Sequence, residues 1–277
     1  MIIRHNGMAL TAYRHYQQNS FLLQRSMERL SSGQRINRAA DDPAGLAISE
    51  KMRAQIRGLE QAARNARDGI SVLQTAEGAL AETQAILQRM RELAVQAAND
   101  TNTDSEREAI AKELQQLREA IDSIGNSTEF NTRKLLDGSG DGEKVSLSLQ
   151  IGANSGQSMQ IEFNDMRAGA LGLDEEDALD VSTHEKAEAV IGRLESALRQ
   201  VSSERSRIGA YQNRLEHTIS NLTNTAENLQ AAESRIRDVD IAKEMMEYTK
   251  RSLLAQVSLA MMAQANQQAQ MVLRLLQ

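Results

Sequence analysis

The feature that most constrains this chain is a seven-residue apolar repeat that runs without interruption through residues 187–236. Because an α-helix brings residues seven apart back to nearly the same face, the repeat predicts one long helix with a continuous apolar stripe. Such a helix would be roughly 75 Å long, so it needs partner helices of matching length. A second apolar row, three or four residues after the members of this repeat, is interrupted by the charged residues Glu204 and Arg205. The repeat consists of Ala187, Leu194, Val201, Ile208, Leu215, Leu222, Leu229 and Ile236.

A second strict repeat supplies a partner helix of that kind. Asp42 and Pro43 are typical of a helix start, since Asp42 can accept from free amides and Pro43 needs no donor there. This helix is predicted to end near residues 99–101, and a third helix is predicted from about Asp104 to a break at 125–127. The second repeat consists of Leu59, Ala66, Leu73, Leu80, Leu87 and Ala94.

Each end of the chain also has a helical apolar stripe, but neither stripe is extensive enough to stabilise an isolated helix. The first helix covers about residues 9–30 and is predicted to stop at Gly33. We expect the two terminal helices to pair with each other and then with other copies. The predicted self-assembly seam consists of Tyr13, Tyr16, Leu23, Met27 and Leu30 in the N-terminal helix, and Leu254, Val257, Met261, Val272 and Leu275 in the C-terminal helix.

Between the helical regions the apolar period changes to two. Residues 145–151 and 159–163 alternate apolar and polar, and a Gly-containing segment separates them, which predicts a β-hairpin at about 145–163. Residues 165–180 are predicted to be irregular. The predicted fold class is mainly α: a long antiparallel helical coiled-coil rod with paired N- and C-terminal helices and a small β-hairpin. The predicted division is a terminal domain of residues 1–40 with 237–277 and a rod domain of residues 41–236.

Composition and motifs exclude several functions. The net charge of −6 disfavours a nucleic-acid binder. There is no cysteine, no HExxH pair among the four histidines, and no Walker or GxSxG motif, so we expect no enzyme, metal site or cofactor. No segment approaches the ~18 consecutive apolar residues of a membrane span. The start of the sequence lacks the apolar core of a secretory signal, so we expect either a cytosolic protein or export without a cleaved signal.

Eight segments, in order along nearly the whole chain, resemble bacterial flagellin, the filament subunit of the flagellum. They include ERLSSGQRIN at 28–37, ADDPAGLAIS at 40–49 and QRMRELAVQ at 88–96. The others lie at 64–70, 129–131, 212–215, 232–240 and 263–268. Departures from the usual pattern are Arg4, Gly7, Gln34 and Pro43.

The resemblance implies a structural subunit that polymerises into an extracellular filament for motility. The terminal helices would form the inner coiled coil, and only about fifteen irregular residues occupy the place where larger flagellins insert outer domains. It also implies export as an unfolded chain, with an export chaperone bound to the C-terminal segment, and contacts with filament cap and hook-junction proteins. In some flagellins a vertebrate innate immune receptor recognises the helices of the rod domain, and the matching positions here are Arg89, Leu93 and Glu113.

Two other interpretations stay open at this point. A hook–filament junction protein resembles flagellin at both ends, although the match through residues 40–135 argues against it. A secreted, membrane-active helical protein would also have apolar terminal helices. Filament formation by the purified protein distinguishes the first, and liposome binding by the monomer distinguishes the second.

Overall fold

The computed structural model describes residues 6–138, 144–174 and 179–275, with the side chains of residue 269 and of residues 272–275 also outside the described part. Within these ranges the chain is mainly α-helical, as predicted. The helices are α1 (Gly7–Ser32), α2 (Pro43–Ala97), α3 (Asp104–Ser127), α4 (His184–Arg237) and α5 (Ile241–Leu275). The strands are β1 (Glu129–Phe130), β2 (Arg133–Lys134), β3 (Lys144–Gln150) and β4 (Ser158–Asn164).

The helix boundaries follow the capping residues. Gly33 ends α1 in the left-handed conformation, with φ of 70°. Asp42 accepts a hydrogen bond from the Gly45 amide at 2.9 Å, and Pro43 is the first residue of α2. These predictions are confirmed. At the start of α3, the Thr103 amide donates to the Glu106 carboxylate at 2.8 Å, within a capping box.

The predicted helix break at residues 125–127 is confirmed, since α3 ends at Ser127. Gly125 is buried in its last turn. A Cβ atom added at Gly125 would lie 2.7 Å from the Cγ atom of Arg167, which is closer than side chains pack. Gly125 therefore permits the close approach of a later segment.

The predicted hairpin is confirmed as the antiparallel pair β3 and β4, in register from Lys144 opposite Asn164 to Gln150 opposite Ser158. The sequence reading missed a second, shorter hairpin, in which β1 pairs with β2. Its turn residues, Asn131 and Thr132, both have positive φ, as a tight two-residue hairpin requires.

The chain divides into two compact units. The terminal unit comprises Met1–Gln55 with Glu227–Gln277, and the central unit comprises Ile56–Ala226. The predicted domain boundaries, at 40/41 and 236/237, differ from these. The predicted division of the chain into an assembling terminal domain and a rod domain stays a prediction.

The core of the central unit is built from the two seven-residue repeats. Side chains from α2 and α4 are fully buried along both, among them Leu73, Leu80, Leu194 and Ile208. The inward side chains of the β3–β4 hairpin join this core, including Ile161 and Phe163. Residues 165–174 have no helix or strand, as predicted, yet they are packed: Met166, Ala168, Leu171 and Leu173 are buried in the same cluster.

In the terminal unit α1 packs antiparallel to α5. The Asn6 side chain donates to the Ala265 carbonyl at 3.0 Å near one end, and Arg29 lies 3.8 Å from Glu244 near the other. The two connectors meet in an isolated antiparallel bridge between Gln34 and Asp238.

The predicted face of this helix pair requires correction. On α1 the most buried positions are Asn19 and Ser26, whereas the predicted Tyr13 and Met27 are exposed. On α5 the buried positions are Glu244, Ala255 and Ala265, whereas Leu254, Val257 and Met261 are exposed. Small and polar side chains therefore lie between the two helices, which lets their backbones approach closely and leaves many larger apolar residues outside.

Candidate assembly surface

Large apolar side chains are exposed almost entirely on the terminal unit. Of sixteen such residues in the described part of the chain, fifteen belong to this unit and Val95 is the exception. We call these fifteen residues the apolar surface. They are Met8, Leu10, Tyr13, Phe21, Met27, Ile48, Ile241, Met245, Met246, Leu253, Leu254, Val257, Leu259, Met261 and Met271.

The predicted seam residues occupy two kinds of position. Tyr16, Leu23 and Leu30 are half-buried in the terminal unit. Tyr13, Met27, Leu254, Val257 and Met261 are exposed and belong to the apolar surface. The side chains of Val272 and Leu275 lie outside the described part.

Several members of the apolar surface were not predicted from the sequence, among them Leu10, Phe21, Ile48 and Leu253. They lie off the predicted stripes. For Leu253 the signal that could have found it is that α5 has apolar residues on every side, so one partner helix cannot cover them all.

A groove of about 780 Å³ lies between α1 and α5 and is part of this surface. Its apolar lining includes Met8, Ala12, Val257 and Met261, and Asn19 and Arg251 supply polar groups. Such a lining suits the apolar side chains of another helix. Full burial of one Val, Leu or Met side chain contributes about 1.5–3 kcal/mol, so a few residues from a neighbouring copy are sufficient for a stable contact.

The three residues matched to immune recognition lie on α2 and α3 in the central unit. The Arg89 guanidinium donates to the Glu113 carboxylate at 3.1 Å and also contacts Glu92 at 3.3 Å. The hydrogen bond from Arg89 to Glu113 raises the pKa of Arg89 above its usual value. Both side chains are about half exposed, whereas Leu93 is only 2% exposed and packs in the core. The structure thus brings Arg89 and Glu113 together and leaves Leu93 almost no surface for direct contact.

Among the described residues, no group of three or more His, Cys, Asp or Glu side chains has the arrangement of a metal site. No helix in the same ranges combines the length and apolar character that crossing a bilayer demands.

Comparison with known families gives two matches. The family described as bacterial flagellin N-terminal helical region matches residues 3–141, and the one described as bacterial flagellin C-terminal helical region matches residues 191–276. Together they cover most of the chain and leave mainly the β3–β4 hairpin and the irregular segment after it.

Curated relatives match over their full lengths. The chain is 56% identical to the flagellin of Halalkalibacterium halodurans and 50% identical to that of Bacillus subtilis, each with 100% of both chains covered. It is 48% identical to the flagellar filament 33 kDa core protein of Treponema phagedenis, again over all of both chains.

Solved structures show the same relationship. The crystal structure of Bacillus cereus flagellin is 34% identical and covers 61% of this chain and 94% of its own, with a TM-score of 0.50. A putative flagellar hook-associated protein from Vibrio parahaemolyticus reaches a TM-score of 0.60 over 72% of this chain and 100% of its own. At 16% identity the second comparison shows a shared fold alone.

Proposed function

Because this chain belongs to the bacterial flagellin family and is a structural subunit of the flagellar filament, we propose that its terminal unit carries the contacts that hold successive copies together. The observation that supports this proposal is the segregation of exposed apolar side chains, fifteen of sixteen in that unit. Apolar exposure on this scale marks an interaction surface. Stacking of identical chains in an open helical array buries such a surface without closing a ring.

In this proposal residues 1–40 and 237–277 form the inner coiled-coil domain of the filament, and residues 41–236 form the rod around it. The predicted seam residues Tyr13, Met27, Leu254, Val257 and Met261 are exposed in the single chain and become buried against neighbouring copies. Val272 and Leu275 extend the same stripe by sequence.

The first experiment is salt-induced polymerisation followed by electron microscopy. The intact chain is compared with one that lacks residues 1–35 and 240–277. We expect long filaments only from the intact chain, since the trimmed chain has lost most of the apolar surface. Filaments formed equally readily by the trimmed chain would contradict the proposal. Long filaments from the intact protein alone would also exclude a hook–filament junction role.

A matched pair of single substitutions tests the surface without truncation. Val257 and Val95 are equally exposed, at 56% and 54%, but only Val257 belongs to the terminal unit. We expect Val257→Ser to raise the critical concentration for polymerisation several-fold and Val95→Ser to leave it unchanged. Equal effects of the two substitutions would mean that the apolar surface has no special role.

The filament lies outside the cell, so the subunit has to be exported. We propose that it leaves as an unfolded chain through the flagellar secretion channel, without a cleaved signal peptide, while an export chaperone holds the C-terminal segment. The exposed apolar residues of α5, such as Leu253 and Met261, support this, because a chaperone would shield them from water until the subunit is assembled. Calorimetric titration of the chaperone with the intact chain and with one that lacks residues 240–277 tests it, with binding expected only for the intact chain.

We further propose that the monomer is recognised by a vertebrate innate immune receptor through the α2–α3 face. The exposed pair of Arg89 and Glu113 supports this, and Leu93 would act by holding α2 in place beneath it. In receptor-bearing reporter cells we expect Arg89→Ala to reduce activation by soluble monomer while thermal stability stays unchanged. Monomer that does not activate these cells would contradict the proposal. Contacts with the filament cap and hook-junction proteins are proposed from family membership alone.

A further inference from the structure

The methionines divide between the two units according to exposure. The chain has twelve, of which Met1 lies outside the described part. Three are buried, and all three belong to the central unit: Met90, Met159 and Met166. Met52 and Met262 are half-buried in the terminal unit. The remaining six are exposed and all lie in the terminal unit: Met8, Met27, Met245, Met246, Met261 and Met271.

We propose that these six exposed residues, the methionine set, are an oxidation-sensitive modification site. Their conversion to methionine sulfoxide by a peroxide weakens polymerisation of the monomer, and the central unit keeps its fold. The inference rests on the assembly role proposed above for the terminal unit, and it adds chemical control of that role.

The reaction needs only the thioether and the peroxide. The methionine sulfur attacks one oxygen of hydrogen peroxide, the O–O bond breaks and an S–O bond forms. The sulfur loses two electrons, and the peroxide is reduced to water. Methionine sulfoxide reductases reverse the change with two electrons from a dithiol and release the oxygen as water, with one enzyme class for each sulfoxide epimer.

Exposure makes the reaction selective. Oxidation of methionine requires that the peroxide reach the sulfur, so the methionine set reacts before the buried residues of the central core. Met90 and Met159 pack in the same cluster as Leu80 and Phe163, and this burial restricts the access of peroxide to their sulfur atoms. The chemistry therefore falls on the unit proposed to carry the contacts between copies and largely spares the core of the central unit.

The position of the set explains why assembly is the property that changes. Met8 and Met261 line the groove between α1 and α5, beside Leu254 and Val257. A sulfoxide is a polar, chiral group in place of a flexible apolar one. Its oxygen is hydrated in the monomer and loses that water when apolar side chains of a neighbouring copy pack against it, so each buried sulfoxide opposes the contact.

The experiment treats folded monomer with hydrogen peroxide, removes the oxidant and measures the critical concentration for salt-induced polymerisation. Peptide mass spectrometry identifies which sulfurs carry oxygen, and circular dichroism follows the fold. We expect oxygen on the methionine set, little on Met90, Met159 and Met166, an unchanged unfolding transition of the central unit, and a critical concentration raised about tenfold or more. Both reductase classes with dithiothreitol should restore polymerisation.

Two variants separate the set from the rest of the chain. In one, all six members are replaced by Leu, which has a similar volume and cannot be oxidised. In the control, Met90→Leu, Met159→Leu and Met166→Leu are combined. We expect peroxide to leave polymerisation of the first variant unchanged and to inhibit the control as it inhibits the natural sequence. If the first variant does not polymerise untreated, restoration of the oxidised natural sequence by the reductases decides the question.

Normal polymerisation of protein whose methionine set is oxidised would overturn the inference, and so would inhibition that neither the six Leu substitutions nor the reductases remove. Failure of the untreated natural sequence to polymerise would instead contradict the proposed assembly role. The two failures are therefore distinguishable in one experiment.

Discussion

Glu204 offers the sharpest test of what holds the central unit together. It lies on the buried face of α4, and its side chain is only 3% exposed. Its carboxylate accepts hydrogen bonds from the Asn164 amide at 3.3 Å, from the Asn164 side chain at 3.1 Å and from the Arg207 guanidinium at 2.7 Å. Asn164 ends β4, so this network joins the long helix to the hairpin.

The expected cost of Glu204→Ala follows from these contacts. Removal of one partner from a buried ion pair destabilises a protein by about 3–5 kcal/mol, because the other charge is left without compensation. The Arg207 side chain is 32% exposed, so water can solvate its guanidinium after the substitution. We therefore expect the free energy of unfolding to fall by about 2–3 kcal/mol, below that range.

Tyrosine fluorescence in a urea titration can report this change for the central unit, since the chain has no Trp and only four Tyr residues. Replacement of Tyr13, Tyr16 and Tyr248 by Phe leaves Tyr211, which packs against the central core, as the fluorophore. The matched control combines Glu204→Leu with Arg207→Leu, which removes both charges together, and should cost less than Glu204→Ala. A loss below about 1 kcal/mol for Glu204→Ala would refute the reasoning.

Three further outcomes are expected. Leu80→Ala removes a fully buried side chain from the α2 repeat and should lower the free energy of unfolding of the central unit by about 2–5 kcal/mol, measured by the same titration. Gly33→Ala should destabilise the terminal unit by about 1–2 kcal/mol, because its φ of 70° strains any residue with a Cβ; the helix signal of the full chain in a urea titration, compared with the Tyr211 signal of the central unit, checks this. The hydrogen bond from Lys186 lowers the pKa of Asp180 to about 2. Because a depressed pKa stabilises the folded form above the unfolded value of 3.8, this contribution should disappear as pH falls from about 4 to about 2, and Asp180→Asn should make stability less sensitive to pH in that window.

The helical part of the fold could be predicted because its signals are local. Seven-residue repeats such as that from Leu59 to Ala94 report which face is buried, and Gly33 and Pro43 mark boundaries through their own backbone preferences. The packing role of Gly125 could not be predicted in this way. Glycine also occurs where another segment of the chain approaches a helix closely. The approach of Arg167 to Gly125 involves residues that are distant in the sequence, so local patterns do not show it.

The assembly surface was predicted only in part, because periodicity shows an apolar stripe without showing what covers it. The helix pair buries Asn19 and Ser26, which carry no hydrophobic signal, and leaves Tyr13 and Met27 outside. Leu93 illustrates the same limit. Resemblance matched it to a recognition position, but its burial beneath Arg89 depends on how α2 packs. Glu204 interrupts the second apolar row of α4 in the sequence. Only the structure shows the reason, which is that its carboxylate accepts hydrogen bonds from Asn164 at the end of β4.

The placement of small and polar residues between α1 and α5 has a consequence for how the two units respond to dilution. The central unit buries its leucines within one chain, so its melting temperature should not depend on how much protein is present. In the proposed assembly the exposed apolar residues of the termini are covered by neighbouring copies, and binding that requires the folded form stabilises that form by mass action. Thermal stability of α1 and α5 should therefore rise with protein concentration, and in a growing polymer the ends of each molecule become its most firmly held part.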